Sequence, residues 1–183
     1  MTLVERIVAL HRALSRRRIP HAFGGAIALA FATLDPRGTS DIDVNLFVPA
    51  TDAGRALRAL PAGVVQPEGV AAVIERDGQI RLWWDATPLD LFFDCAPIHA
   101  DAAAHRRTVP FGGTRIPVLG PVELAVFKAL FDRTRDWADI EAMIAARTLD
   151  LDAVLTSLKL MLDPADERLT RLQAAERLAR DAP

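Results

Sequence analysis

The sequence predicts an α+β fold in which a β-sheet is flanked by helices and is followed by a C-terminal helical segment. Three observations lead to this prediction. Apolar and polar residues alternate in short segments such as residues 79–84, which is typical of strands. Longer segments such as residues 2–17 repeat apolar residues every three or four positions, which is typical of amphipathic helices. After residue 120 the pattern is helical throughout.

The composition predicts one packed domain with, at most, a small appendage. The chain has 183 residues, of which 51% are hydrophobic and 25% are charged, and a chain of this kind can bury a core. We place the core in residues 1–120 and a C-terminal helical bundle that packs on it in residues 121–183. The formal net charge of −2 gives the whole chain no attraction to nucleic acid, so any such contact would come from local basic clusters.

Residue counts exclude several kinds of site. The single cysteine, Cys95, excludes an internal disulfide and any zinc site built from several cysteines. The four histidines do not have metal-ligand spacing. Charged residues interrupt the N-terminal segment where a signal peptide would be apolar, and no apolar run approaches the ~20 residues of a membrane span. We therefore expect a reduced, cytoplasmic protein that does not contact membranes.

Turn residues place the predicted elements along the chain. We expect Thr87 and Pro88 to turn the chain between two antiparallel strands, and Gly112 with Gly113 to close a two-residue hairpin. Pro121 should occupy the first position of a helix. The predicted strands are residues 21–25, 41–49, 79–84, 89–93, 108–111 and 114–118. The predicted helices are residues 2–17, 26–34, 52–60, 70–76, 98–107, 121–133, 136–147, 150–162 and 164–180.

Two acidic residues, one position apart, are the first indication of a functional site. Asp41 and Asp43 lie in the segment DIDV, where a strand would direct both side chains to one face. Two adjacent carboxylates are costly to bury and repel each other, whereas a hard divalent cation such as Mg²⁺ prefers oxygen ligands. The alternative is a solvated acidic face, which is the commoner case for so short a motif taken alone.

A third acidic residue, Asp90, is predicted in the middle of the apolar strand LDLFFD. An unpaired carboxylate is costly among large apolar residues, so Asp90 should have a partner. That partner is either a metal ion shared with Asp41 and Asp43 or a buried arginine. Asp94 would lie about 13 Å further along the strand, so it cannot serve the same metal centre as Asp90. We prefer Asp90 because Asp94 lies at the end of the strand.

Two further features are compatible with phosphate binding. Gly24 and Gly25 stand between a short strand and an Ala-rich helix, where glycines let phosphate oxygens approach backbone N–H groups. A turn without a ligand is the alternative, and the pair fits neither the P-loop nor the dinucleotide-fold signature. Lys128 lies at the edge of the apolar stripe of a later helix. It either points at a phosphate or snorkels to solvent beside Asp132.

In their order along the chain, these motifs resemble those of the DNA polymerase β-like nucleotidyltransferases. That superfamily has a Gly-Gly or Gly-Ser turn, a helix, a strand with two alternating aspartates, and a third carboxylate on a later strand. The chain is more closely similar to the AbiEii/MenT-like toxin nucleotidyltransferases of toxin–antitoxin systems. It shares with them RGTSDID at residues 37–43 and an L-x-x-x-K helix followed by RTRDWADI at residues 133–140. The resemblance covers residues 21–140 and implies the nucleotidyltransferase fold, with a mixed β-sheet.

The resemblance also implies an enzyme that depends on Mg²⁺. One or two Mg²⁺ ions would be held by Asp41, Asp43 and Asp90 and would act on the triphosphate of an NTP. Gly24 and Gly25 would carry phosphates on their N–H groups. This chemistry consists mainly of positioning and electrostatic stabilisation, so three carboxylates and two metal ions can suffice for it.

Other residues receive implied roles from the same resemblance. Lys128 would contact the β- and γ-phosphates, and Arg37 would order its loop or touch phosphate. Asp136 resembles a late acid of the family, with helix capping as the alternative. The implied nucleotide-binding residues are Gly24, Gly25, Arg37, Thr39, Lys128 and Asp136.

The substrate and partner follow from the same resemblance. Toxins of this kind add nucleotides, often pyrimidines, to the 3′ end of tRNA, which blocks aminoacylation and translation. The resemblance therefore implies transfer of an NMP to tRNA, with CTP or UTP favoured. In some members the antitoxin is a kinase that phosphorylates a Ser or Thr just before the acidic strand, the place that Thr39 occupies here. A phosphate at Thr39 would repel the triphosphate; a plain loop hydroxyl is the alternative.

Two other functions fit parts of this pattern. A small-molecule nucleotidyltransferase of the antibiotic-modifying kind shares the Gly-Gly turn and the D-x-D strand, and an acidic second pocket would favour it. Basic clusters at residues 16–18, 106–107 and 133–135 favour RNA if they converge on one rim of the cleft. A non-catalytic nucleotide-binding protein is the third possibility, against which the presence of all three acids argues.

Overall fold

One mixed β-sheet contains all seven strands found in residues 1–181, the part of the chain that the computed structural model describes, with side chains up to Leu178. The strands are β1 (His21–Phe23), β2 (Ile42–Pro49), β3 (Val64–Val65), β4 (Gln79–Trp84), β5 (Thr87–Asp94), β6 (Arg107–Phe111) and β7 (Thr114–Val118). Their order is β3-β4-β5-β2-β1-β7-β6. β2 is parallel to β5 and β1 to β7, and the other neighbours are antiparallel. The predicted α+β fold with a mixed sheet is thereby confirmed.

The described residues also form nine α-helices. They are α1 (Leu3–Arg16), α2 (Gly25–Thr33), α3 (Ala53–Leu57), α4 (Val70–Asp77), α5 (Ile98–His105), α6 (Pro121–Phe131), α7 (Thr134–Ala145), α8 (Leu151–Lys159) and α9 (Glu167–Asp181). By their internal contacts, Met1–Ile27 and Arg37–Leu119 form one unit, and Ala28–Pro36 with the chain from Gly120 onward forms a second. Each described helix is too short or too polar to cross a bilayer.

The first unit contains the whole sheet, whose core is built on β2 and β5. Alternate side chains of a strand point to the same face, and on both strands one set of alternate residues is apolar. Each such side chain contributes about 2 kcal/mol when it leaves water. The fully buried members of this set are Ile42, Val44, Leu46, Leu89, Leu91 and Phe93. The register between β2 and β5 therefore also determines which residues of the opposite face, such as Asp43 and Asp90, lie side by side.

The second unit is helical. α6 packs on α7 and α8, and α9 packs on the same two helices. Trp137 is the largest side chain buried there, and its indole N–H donates to Asp132 Oδ1 at 2.6 Å. The pattern of helices in this segment was predicted. The last helix begins at Glu167 rather than near Asp163 and Pro164, because the Asp163 carboxylate accepts the Ala165 N–H in a preceding turn.

The turn between β4 and β5 differs from the prediction. It lies at Asp85 and Ala86, not at Thr87 and Pro88, because Asp85 adopts the left-handed conformation with φ 52°. Pro88 is part of β5 and pairs with Trp83. A proline is tolerated there because β2 pairs with β5 only from Leu89 onward, so β5 has a single neighbour at Pro88.

Smaller differences concern short elements. Residues 64 and 65 form a strand where we predicted a loop, since two residues are too few to show alternation. α2 begins at Gly25 itself, and β2 begins at Ile42, one residue after Asp41. A helix was predicted at residues 52–60. The helix spans Ala53–Leu57 and its Asp52 cap makes no side-chain hydrogen bond.

Candidate active site

Asp43 and Asp90 are direct register partners on the parallel strands β2 and β5. Side chains of paired residues on neighbouring strands lie on the same face about 5 Å apart. Asp41 stands one residue before β2, and its side chain is 37% exposed, against 17% for Asp90. The fold thus brings residues from two distant segments of the chain, 41–43 and 90, to one place on the sheet.

Arg81 faces these acids and was missed by the sequence reasoning. It lies on β4 directly opposite Asp90, so Asp43, Asp90 and Arg81 form one row across three strands. Its guanidinium binds Asp90 through two bonds, Nε to Oδ1 and Nη2 to Oδ2, both 2.7 Å long. Nη2 also lies 3.7 Å from Asp41 Oδ2. A buried arginine was one of the two partners predicted for Asp90, whereas the side chain of Arg81 is 53% exposed.

The charges around Arg81 show that all three acids act on it. The pKa of Arg81 is raised above its ordinary value, first by the hydrogen bonds and the charge of Asp90 and then by the charges of Asp41 and Asp43. A guanidinium is permanently charged in proteins. Arg81 therefore lies where the negative charges of all three carboxylates act together.

Gly25 is required by the carboxylate of Asp43. Gly25 is the first residue of α2 and has a φ of +48°, a conformation that L-amino acids rarely adopt. A Cβ at this position would overlap the Asp43 carboxylate. The preceding Gly24 donates its N–H to the Asp43 carbonyl at 2.9 Å. The carboxylate therefore lies against the start of α2, where unsatisfied N–H groups favour negative charge. Phosphate binding by the two glycines stays a prediction.

The loop before β2 holds Asp41 through two hydroxyl groups. Thr39 Oγ1 accepts the Asp41 N–H at 3.2 Å and donates to the Asp41 carbonyl at 3.4 Å. Ser40 Oγ donates to Asp41 Oδ1 at 2.6 Å. Thr39 and Arg37 are half-buried, and Ser40 is exposed. The loop thus fixes both the backbone and the side chain of the first acid.

Lys128 and Asp136 belong to a buried ion cluster of the second unit. Lys128 Nζ lies 2.6 Å from Asp139 Oδ2 and 3.2 Å from Asp136 Oδ1, and the lysine is 6% exposed. The predicted alternative for Lys128, snorkelling beside Asp132, is therefore wrong. The capping alternative for Asp136 is also wrong, since Asp136 lies in the first turn of α7 and the N-cap is Arg133. Phosphate contact by Lys128 stays a prediction.

The electrostatics of this cluster favour ionised Asp136. Burial raises the pKa of Asp136, but the hydrogen bonds and charges of Arg133 and Lys128 outweigh that effect and hold the pKa below its ordinary value. Arg133 Nε lies 2.6 Å from Asp136 Oδ2, and the guanidinium also stacks over the Phe131 ring.

The acids of the first unit have the donor chemistry for a divalent ion but are engaged with Arg81. Among residues 1–181 no three acidic, histidine or cysteine side chains are arranged to hold a metal ion. Asp41, Asp43 and Asp90 nevertheless supply the carboxylate oxygens that Mg²⁺ prefers. A cation, the Arg81 guanidinium, already bridges Asp41 and Asp90. The three acids therefore have the donor chemistry for a metal ion, and metal binding by them stays a prediction.

A basic cavity lies elsewhere in the first unit. It has a volume of about 350 Å³ and is lined by Arg16 and Arg17 at the end of α1 and by Arg58 after α3. All three arginines are exposed. Arg106, from another predicted basic cluster, stacks over the Phe47 ring at 5.9 Å.

Solved structures resemble this chain over 92–100% of its length. No protein-family model matches the sequence, and no curated protein is significantly similar to it. The crystal structure of ANT(2″)-Ia in complex with adenylyl-2″-tobramycin has a TM-score of 0.54, with 18% identity and coverage of 100% of both chains. An antigenic nucleotidyltransferase-like protein from Paracoccidioides brasiliensis has a TM-score of 0.50, with 17% identity over 92% of this chain and 90% of that one. This chain has the nucleotidyltransferase fold.

A further structure supports the same assignment. The solution structure of the antibiotic-resistance factor ANT(2″)-Ia has a TM-score of 0.53, with 17% identity over 97% of this chain and 92% of that one. The nucleotidyltransferase fold expected from the motifs is thereby confirmed. At these identities the likeness concerns the fold, in which β2 and β5 here carry Asp43 and Asp90.

Proposed function

We propose that this chain is a nucleotidyltransferase that transfers an NMP from an NTP to the 3′ end of an RNA, with tRNA as the acceptor. The observation that carries the proposal is the pairing of Asp43 with Asp90, next to Asp41 and against Gly25, on a nucleotidyltransferase fold. Three carboxylates in one place repel one another, so a positively charged ligand is favourable there.

The reaction joins the 3′ oxygen of the acceptor to the α-phosphorus of the NTP and breaks the bond between that phosphorus and the bridging oxygen to the β-phosphate. Pyrophosphate leaves, and the hydroxyl proton passes to a carboxylate of the site or to water. Bound Mg²⁺ would polarise the α-phosphoryl group and offset charge on the leaving group. Asp41, Asp43 and Asp90 would hold it.

The residues around the acids restrict how the acids can move. Gly24 binds the Asp43 carbonyl through its N–H, and Thr39 binds both backbone groups of Asp41. Two of the three acids are therefore held at the backbone, and Asp90 is held in the middle of a sheet strand. Such rigid placement suits phosphoryl transfer, which depends on positioning and on fixed charge.

The basic cavity favours a polyanionic acceptor over a cationic one. Arg16, Arg17 and Arg58 concentrate positive charge at one concave place on a chain whose formal net charge is −2. Guanidinium groups match the geometry of phosphate and account for much of the affinity of proteins for nucleic-acid backbones. We propose that an RNA phosphate binds there.

The finer function that we propose is that of a toxin. Transfer of CMP or UMP to the 3′ end of tRNA would block aminoacylation and stop translation in the cytoplasm. A cognate antitoxin, a kinase that acts on Thr39, would restore growth. The contact between Thr39 and Asp41 supports this proposal, because a phosphate on Thr39 would add about −1.5 to −2 charge beside the first acid.

The alternative acceptor is a small molecule of the aminoglycoside kind. The similarity in fold to ANT(2″)-Ia, solved with an adenylylated tobramycin, supports this alternative. An aminoglycoside is cationic, however, so the cavity lined by three arginines does not suit it.

An acceptor panel distinguishes the two functions. The protein is incubated with Mg²⁺, each α-labelled NTP in turn, and either total tRNA or tobramycin. We expect label on tRNA and none on tobramycin. The variant Arg58→Gln should raise the KM for tRNA about tenfold and leave the KM for NTP unchanged. Arg76→Gln, which removes an exposed arginine paired with Asp77, is the matched control. Label on tobramycin alone would establish the alternative.

A further inference from the structure

Arg81 engages the carboxylate oxygens through which Asp90 would bind a divalent ion. Both oxygens of Asp90 are engaged by its guanidinium at 2.7 Å, and Nη2 reaches within 3.7 Å of Asp41. A divalent cation that bound Asp90 would therefore meet the positive charge of Arg81 at contact distance. Because like charges repel strongly at such separations, the guanidinium and the ion exclude each other from Asp90.

The geometry also allows Arg81 to leave. Its side chain is 53% exposed, and its backbone is fixed in β4 by pairing with β5. Partly exposed ion pairs contribute on the order of 1 kcal/mol, and a bidentate pair such as that of Arg81 with Asp90 lies at the upper end of that range. The neighbours of Arg81 on its strand, Ile80 and Leu82, point to the opposite face, and Leu82 is buried there. Movement of the guanidinium therefore leaves the core packing of β4 intact.

A displaced Arg81 would remain close to the reacting groups. Its Cα is anchored one strand away from Asp90, and neighbouring strands lie about 4.8 Å apart. The guanidinium has a forked set of donors that suits phosphate oxygens as well as carboxylates. A triphosphate next to Asp90 would thus lie within its reach.

We propose that Arg81 is a mobile cation of the active site: it neutralises Asp90 and Asp41 while no divalent ion is bound, and on metal binding it transfers to the phosphates of the NTP. Arg81 is then both a competitor of the metal ion and a triphosphate-binding residue. This inference rests on the proposed nucleotidyltransferase function, because the NTP is the anion that receives the guanidinium.

Metal binding without nucleotide tests the competition directly. Mn²⁺ is titrated into the wild-type protein and into Arg81→Gln, and binding is measured by calorimetry and by electron paramagnetic resonance. Arg81→Gln should bind Mn²⁺ about three- to tenfold more tightly than the wild type. Arg81→Lys, which keeps the charge but loses the fork, should fall between the two. Arg76→Gln removes a comparably exposed arginine of α4 and should match the wild type.

Nucleotide binding tests the second half of the proposal. At saturating Mn²⁺, Arg81→Gln should bind a non-hydrolysable NTP analogue about tenfold more weakly than the wild type. An arginine that only supported the fold would not improve metal affinity while weakening nucleotide affinity. Mn²⁺ affinity that is unchanged or weaker in a folded Arg81→Gln variant would overturn the inference.

A measurement on the wild-type protein covers the case in which Arg81→Gln does not fold. The Nε–Hε resonance of Arg81, assigned from the spectrum of Arg81→Lys, should shift when Mg²⁺ is added and shift again when the NTP analogue follows. A resonance that moves at neither step would overturn the inference. Absence of Mn²⁺ binding in the wild type and in Arg81→Gln alike would instead overturn the proposed function, and the inference with it.

Discussion

The hydroxyl of Thr39 closes a small ring on the backbone of Asp41, accepting its N–H and donating to its carbonyl. This contact places a hydroxyl group two residues before the first acid and ties the two together. Substitution of the hydroxyl and addition of charge at Thr39 should therefore have different effects.

We expect Thr39→Glu to lower nucleotidyl transfer at least tenfold. A negative charge near Asp41 repels the other carboxylates of the site and the anionic triphosphate. Thr39→Val should cost no more than about fivefold, since it removes one hydrogen-bonding group worth about 1 kcal/mol. The measurement is initial transfer rate at saturating NTP. Thr51→Glu, at an exposed position of the same unit, is the control. Equal activity of the two Glu variants would contradict regulation through Thr39.

Gly25→Ala should destabilise the protein and abolish transfer. The left-handed backbone alone costs an alanine about 1–2 kcal/mol, and its Cβ would overlap the Asp43 carboxylate. The free energy of unfolding in urea measures the first effect, and transfer rate the second. Gly38→Ala is the matched control for stability because a Cβ at Gly38 meets nothing within 4 Å. A Gly25→Ala variant with normal activity would show that Asp43 does not need its observed position.

Lys128→Met should destabilise the second unit by about 3–5 kcal/mol, because it removes the cation that lies 2.6 Å from the buried carboxylate of Asp139. Lys128→Met combined with Asp139→Asn should recover most of that stability, since Asp136 keeps its pairing with Arg133. In the double variant, the effect of losing Lys128 on NTP binding can then be measured in a stable protein. A raised KM for NTP in this stable variant would support the predicted phosphate contact, and a normal KM would refute it.

The buried His21 should make stability depend on pH. Burial lowers the pKa of His21 from 6.5 to about 4, helped by the charges of His11 and Arg106. Between those values the unfolded chain binds a proton that the folded chain does not, so stability falls as pH falls from 7 toward 4. From pH 7 to pH 5 the loss should be about 2 kcal/mol.

Urea unfolding at the two pH values checks this expectation. His21→Asn should remove most of the loss between pH 7 and pH 5, because asparagine does not titrate. His105→Asn, at an exposed histidine, should keep it. An unchanged pH dependence in His21→Asn would assign the loss to other groups.

The sheet and the acids were predictable because alternation along a strand is local information. Asp41, Asp43 and Asp90 could be assigned to one site only by adding a resemblance, since the sequence does not show that β2 and β5 are neighbours. The contact between Arg81 and Asp90 was not predicted because the turn between β4 and β5 was placed two residues too late. A two-residue turn at Thr87 and Pro88 would pair Arg81 with Asp94, whereas the observed turn pairs it with Asp90.

The surroundings of Lys128 were not predictable for a related reason. Its partners Asp136 and Asp139 lie eight and eleven residues away, on the far side of the turn between α6 and α7. Pairs on one helix are three or four residues apart, so sequence spacing suggested Asp132 instead. Asp132 is engaged by the indole of Trp137, a contact that depends on the same turn.

The fate of the NTP phosphates tests the central claim most directly. Purified protein is incubated with Mg²⁺, tRNA and CTP or UTP labelled at either the α- or the γ-phosphate. The account predicts label on tRNA from the α-labelled NTP, none from the γ-labelled NTP, release of pyrophosphate, and loss of transfer in a folded Asp43→Ala variant. Full transfer in that variant, or no transfer to any RNA with any NTP by the wild-type protein, would contradict the account.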